Sequence, residues 1–144
     1  INLSPYNFNQ QFCLVFEVFQ GGTKQIKENM RTLNDYFITA KITDISTAGS
    51  TFVPVPDGGN VIKIITSIKN AISSANAALS FEIGGTAITG GGITVTQSGS
   101  AAGDVDTAEP TAANRVEEDG SIEMITDGGS STACECVVTF VIRR

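Results

Sequence analysis

The apolar positions of this chain change rhythm as it is read from the start. Residues 12–19 (FCLVFEVF) are apolar on both faces of any strand, so the run needs cover on both sides. Gly21-Gly22 breaks it. In residues 23–37 (TKQIKENMRTLNDYF), Ile26, Met30, Leu33 and Phe37 recur at helical spacing behind Thr23 as a cap, which predicts a short helix. Two roles fit it: a surface helix lying on the domain, or part of an arm that clamps a neighbouring subunit.

From Tyr36 the period becomes two. Tyr36, Ile38, Ala40 and Ile42 share one face, with Thr39, Lys41 and Thr43 on the other. Residues 51–59 (TFVPVPDGG) read as an edge strand, because Pro54 and Pro56 cannot donate to a ladder, followed by a turn at Asp57-Gly58-Gly59. Residues 61–83 allow two readings. As a helix capped by Asn60, they line Ile64, Ile65, Ile68 and Ile72 on one side. As a strand, they put Ile62, Ile64, Ile68 and Ile72 on one face, and the density of β-branched residues favours this second reading. A turn at residues 73–76 then leads to a strand with Ala77, Leu79, Phe81 and Ile83 inside and Ser80 and Glu82 outside.

Gly84-Gly85 and Gly90-Gly91-Gly92 read as hairpin turns that reverse the chain. Residues 93–96 (ITVT) form another strand. Residues 97–120 are a long polar stretch, and loops of this length are uncommon in a compact domain unless they have a job. Residues 121–126 and 133–144 close the chain around a turn at 127–130, with Cys134, Cys136, Val138, Phe140 and Ile142 pointing inward. Seven or eight short strands and no fixed repeat predict an all-β fold, a jelly-roll-like antiparallel β-sandwich over residues 36–144. Residues 1–35 form an N-terminal arm or extension. Tyr6, Phe8, Phe12, Phe16 and Phe19 give this arm its contact residues for a sister subunit or another protein surface, because apolar density this high at a terminus needs a partner.

Composition narrows the function. Of 144 residues 41 % are hydrophobic, enough for a core, but only 17 % are charged, against roughly 25 % in an average domain. Thr, Ser, Asn, Gly and Ala fill the gap, and a Thr/Ser strand surface is flat and suited to packing against another chain. The net charge of −6 and a pI near 4.5 argue against nucleic acid as a partner. No segment reaches the roughly 18–20 apolar residues of a membrane helix, so no membrane partner is expected. The chain opens on Ile1, not Met, as expected of a processed or trimmed terminus, and no signal-peptide pattern follows.

The inventory for chemistry is poor. With no histidine, neither a Ser-His-Asp nor a Cys-His centre can be built, and no enzyme is expected. Cys13, Cys134 and Cys136 are an odd set, and the last two sit too close along one strand for ordinary disulfide geometry. Buried thiols acting as small hydrophobes explain them. Asp104, Asp106 and Glu109 form a D-x-D-x-x-E cluster whose oxygens are weak candidates for calcium; solvated loop acids explain them equally well, and no metal or cofactor is expected. The glycine runs lack the Lys-Ser/Thr pair of a phosphate loop.

From residue 51 onward an order of features accumulates: FVPVPDGG, VIKI, AALSFEIGGTAITGG, ITVTQSGSAAGDVD, PTAANRVEEDGSIEMITDGGSS and VTFVIRR. This order resembles the small decoration, or cement, proteins of tailed-bacteriophage heads, over about two thirds of the chain. The resemblance implies a jelly-roll-like virion structural protein that binds the outer capsid surface, commonly as a homotrimer. It implies the major capsid protein as partner, assembly in the host cytoplasm, and no active-site residues. Residues 1–35 do not match that pattern. The alternative is a phage fibre or receptor-binding jelly-roll module that binds carbohydrate. Sugar sites usually present exposed aromatic platforms, and of Phe52, Phe81 and Phe140 the last two are expected inside.

Overall fold

The computed structural model describes residues 34–144. The helix expected at 23–37, the five arm aromatics and Cys13 therefore fall outside the described residues, except for the last turn of that helix. There the expectation fails: residues 35–37 open a strand, and Phe37 pairs with Val141 on the neighbouring one. Eight cross-strand pairs in unbroken register outweigh the local helical spacing of Leu33 and Phe37.

Ten strands follow in order: β1 (Asp35–Ile42), β2 (Gly49–Pro54), β3 (Gly59–Ile68), β4 (Ala77–Ile83), β5 (Thr86–Ala87), β6 (Ile93–Val95), β7 (Val105–Ala108), β8 (Arg115–Val116), β9 (Ser121–Thr126) and β10 (Cys136–Arg143). All named pairings are antiparallel. The first sheet runs β1-β10-β3-β7, with β8 also on β3; the second runs β2-β9-β4-β5, with β6 also on β4. With the two-residue β5 and β8 set aside, the strands interleave: β1, β3, β7 and β10 in the first sheet, β2, β4, β6 and β9 in the second. That is the double Greek key of a jelly roll, and the expected fold class holds.

The two inner faces make one core. Tyr36, Ile38, Ala40 and Ile42 face inward as their alternation requires, and so do Ala77, Leu79, Phe81 and Ile83. Cys134, Cys136, Val138, Phe140 and Ile142 are all buried. Phe81 and Phe140 meet across the sheets edge to face, ring centroids 5.5 Å apart at 88°. β2 lies at an edge, as its prolines require.

Three expectations are corrected. Ile62 does not share the inward face of Ile64 and Ile68. The register slips between Val141↔Lys63 and Ile142↔Val61, so Ile62 is the extra residue of a bulge and Val61 turns inward in its place. Gly84-Gly85 makes the two-residue hairpin, both at positive φ (58° and 76°), but Gly90-Gly91-Gly92 does not reverse the chain. β5 and β6 both run antiparallel to β4 on the same edge, and residues 88–92 step out between them around Gly90 (φ 74°). Finally, residues 97–120 are not one long loop. They carry β7 and β8, which line up one after the other along the edge of β3.

Candidate docking face

Each sheet has an outer face, and the register fixes its rows. On the first sheet Phe37, Val141 and Lys63 form one row. Thr39, Thr139, Ile65 and Thr107 form the next, and Lys41, Val137, Ser67 and Val105 the third. Among the described residues this face holds three of the four exposed large hydrophobics: Phe37 at 68 %, Val105 at 58 % and Val137 at 38 % exposure. Thr39 and Thr139 hydroxyls join at 3.0 Å across the strands in the middle row. Four strands about 4.8 Å apart, with three rows about 7 Å apart, span roughly 400 Å².

Ion pairs sit at the ends of this face. Arg143 donates two hydrogen bonds to Asp35, each 2.8 Å. This bond holds the Asp35 carboxyl below its ordinary value and raises Arg143. Lys41 donates to Glu135 at 2.9 Å and lowers that carboxyl likewise. Lys63 has no carboxylate partner among the described residues.

The outer face of the second sheet differs. Its central row is Phe52, Glu123, Glu82 and Ala87, so two carboxylates stand directly opposite each other beside a 61 % exposed ring. Its strands carry no Lys or Arg. Like charges so placed disfavour the pairing slightly.

The loops after β1, β3, β6 and β9 interlock at one end. Asp44 accepts from the Ser46 hydroxyl (2.7 Å) and amide (2.8 Å), the Cys134 amide (3.1 Å) and the Thr47 hydroxyl (3.2 Å). The Ser46 hydroxyl does most to hold its carboxyl below the ordinary range. Asp44 lines a cleft of about 330 Å³ with Ile42, Thr51, Met124 and Thr126, but its carboxylate is engaged in holding the loop. A second cleft, of about 180 Å³, contains Asp104 and Asp106 but not Glu109. Asp104 accepts from the Ala101 amide at 2.6 Å, and the three acids do not converge. Among the described residues no group of three His, Cys, Asp or Glu side chains is placed to hold a metal ion. Cys134 and Cys136 are buried free thiols; burial pushes the Cys136 thiol up to about 11, so it stays protonated and unreactive.

The arm residues Tyr6, Phe8, Phe12, Phe16 and Phe19 lie outside the described residues. The grouping on the outer face of the first sheet escapes sequence reading. Alternation assigns Thr39, Lys41 and their like to the outside, but only the register gathers Phe37, Val137 and Val105 onto one surface.

No family model matches the chain, and no curated protein matches it. Among solved structures, the chain is similar to one in the acid-stable capsid structure of Helicobacter pylori bacteriophage KHP30. Identity is 12 %, coverage is 76 % of this chain and 87 % of that one, and the TM-score is 0.51. A chain in the capsid asymmetric unit of cyanophage Pam1 matches at 16 % identity, 75 % and 83 % coverage, TM-score 0.43. A family 6 carbohydrate-binding module matches at 10 % identity, 73 % and 94 % coverage, TM-score 0.43. The first of these establishes the shared fold, and a fold does not by itself assign a function.

Proposed function

We propose that this protein is a virion structural protein, a decoration or cement protein on the outside of a tailed-phage head. The observation that carries this reading is the jelly-roll strand order, shared in fold with a chain of a phage capsid, joined to a flat, weakly charged sheet exterior. In this reading the outer face of the first sheet lies against the major capsid protein. Threonines and Ile65 in the middle row, Phe37, Val137 and Val105 in the flanking rows and ion pairs at the ends give the mixed apolar and polar surface common in protein interfaces.

Magnitude decides how many copies must act together. A standard interface takes about 800 Å² from each partner, roughly twice what this face offers. One copy would hold weakly, and a homotrimer presenting three faces would bind multivalently. The arm aromatics Tyr6, Phe8, Phe12, Phe16 and Phe19 supply further contact. Each Phe they bury contributes on the order of 1.5–3 kcal/mol before ordering costs. The role is adhesive and not catalytic, and the protein joins the particle in the host cytoplasm.

Carbohydrate binding is less well supported. The exposed rings of the described residues, Phe37 and Phe52, stand on opposite outer faces and build no shared platform. Copy number per particle tests the proposal. Hundreds of copies on a head agree with decoration; a few copies, with binding on a glycan array, would replace it by a fibre role.

A further inference from the structure

The chain is acidic, with a net charge of −6, but its cations are gathered. All six Lys and Arg of residues 34–144 lie on or directly beside strands of the first sheet. Lys41, Lys63, Arg115 and Arg143 stand in β1, β3, β8 and β10, and Lys69 and Arg144 follow β3 and β10 by one residue. The first-sheet strands thus hold four cations and two carboxylates, Asp35 and Asp106. The second-sheet strands hold two carboxylates, Glu82 and Glu123, and no cation. A negative protein with one positive-leaning sheet meets an acidic surface with that sheet first, because other approaches are repelled.

The two ends of the docking face use these cations differently. At one end the pairing is closed. Both Asp35 carboxylate oxygens accept from Arg143, while Arg144 pairs with Asp57 at 2.7 Å and lies over the Tyr36 ring, 5.1 Å from its centroid. At the other end one carboxylate stands between two lysines. Lys41 Nζ donates to the Glu135 carboxylate at 2.9 Å. On the β3 side the Lys69 amide donates to the Glu135 carbonyl, also at 2.9 Å. Lys41 chiefly, and Lys69 more weakly, hold the Glu135 carboxyl below its ordinary value, so both ammoniums act on it. The Lys41 side chain is 51 % exposed, and Lys69 is exposed as well. Val137 and Val105, both exposed, stand in the same row as Lys41. Asp104 and Asp106 flank Val105 but alternate to the other side of the strand and line the smaller cleft.

Two lysines to one carboxylate make this end positive. A partner that covers them strips water from their ammoniums, which is costly unless an acceptor takes its place. We infer that Lys41 and Lys69 receive an Asp or Glu side chain of the surface on which the first sheet lies, set beside an apolar patch that meets Val137 and Val105. Arg143, matched by both oxygens of Asp35, takes no further carboxylate. The inference rests on the docking reading above and names the chemistry of the surface that reading requires.

Heads purified without this protein are titrated with the full chain and its variants at about 0.05 M and about 0.5 M salt. Lys69→Gln should weaken binding about fivefold at the lower salt and less than about twofold at the higher. Glu135→Gln leaves both lysines to the partner and should tighten binding about threefold at the lower salt, roughly the worth of one exposed ion pair. A gain of this sign is not expected of a residue that only braces the fold. Lys69 is exposed, so its variant keeps the fold, and matching thermal melts check this. Glu82→Lys, on the other sheet, should change binding by less than about twofold. Binding by the unaltered chain that Lys69→Gln and Glu135→Gln leave unchanged, or that Glu135→Gln weakens, overturns this inference alone. Tightening by Glu82→Lys as large as that by Glu135→Gln would assign the effect to net charge and overturn it too. Failure of the unaltered chain to bind heads at either salt overturns the decoration reading, and this inference with it.

Discussion

The two outer faces of the sandwich are built from the same alternation and have different characters. On the first sheet the outward positions are valines, threonines, a phenylalanine and lysines, with carboxylates paired at the ends. On the second they are serines, Ile125, Ala78 and two opposed glutamates beside Phe52. Both faces occupy the positions that alternate with core residues, whatever the polarity of the residue there. Alternation is therefore silent about which face is used. What separates them is the register, which stacks apolar outward residues of distant segments in one case and like charges in the other.

Removing what the two faces share should have the largest effect. Phe140→Ala empties the edge-to-face contact with Phe81 and should lower stability by about 3–5 kcal/mol in urea unfolding, weakening both faces together. A loss under 1 kcal/mol would show that the core does not depend on this contact. Next comes the contrast itself. Val137→Glu should weaken binding to heads about tenfold or more, near 1.4 kcal/mol, while stability moves by no more than about 0.5 kcal/mol. Phe52→Ser should leave head binding unchanged. Equal losses from the two variants would erase the distinction between the faces.

A smaller effect belongs to the second sheet alone. Glu82→Lys replaces a like-charge pair with an opposite one against Glu123 and should raise stability by about 0.2–1 kcal/mol, less in high salt. The smallest appears only in acid. The Asp44 carboxyl is held below its ordinary value of 3.8 by the Ser46 hydroxyl, so its contribution is present above that value. It is lost as pH falls through the lower folded value. Asp44→Asn should leave a thermal melt less sensitive to acid below about pH 4, with the docking face intact.

Much of the fold was legible because its strands are regular. The inward sets of β1, β4 and β10 follow from alternation alone, and Pro54 marks β2 as an edge. The failures each have a physical cause. β7 inverts the expected signal, with Val105 outward and Asp106 half-buried, so residues 97–120 read as loop. A bulge at Ile62 shifts the phase within one strand, which no uniform period reveals. Gly90-Gly91-Gly92 looks like a turn because glycine permits both a reversal and an excursion, and only the pairing to β4 tells them apart. The docking face stayed hidden for a related reason. Phe37 also fits the helical spacing of Met30 and Leu33, and Val105 and Val137 lie far apart in sequence.

The most direct measurement is thiol labelling of single cysteines on each face, free and on heads. Val137→Cys and Phe52→Cys are each made together with Cys13→Ser; Val137 and Phe52 are exposed positions, whereas Cys134 and Cys136 are buried. The account predicts that both react in solution, and that on purified heads position 137 becomes protected while position 52 stays reactive. If position 137 labels on heads as fast as it does in solution, the first sheet does not face the capsid and the central claim fails.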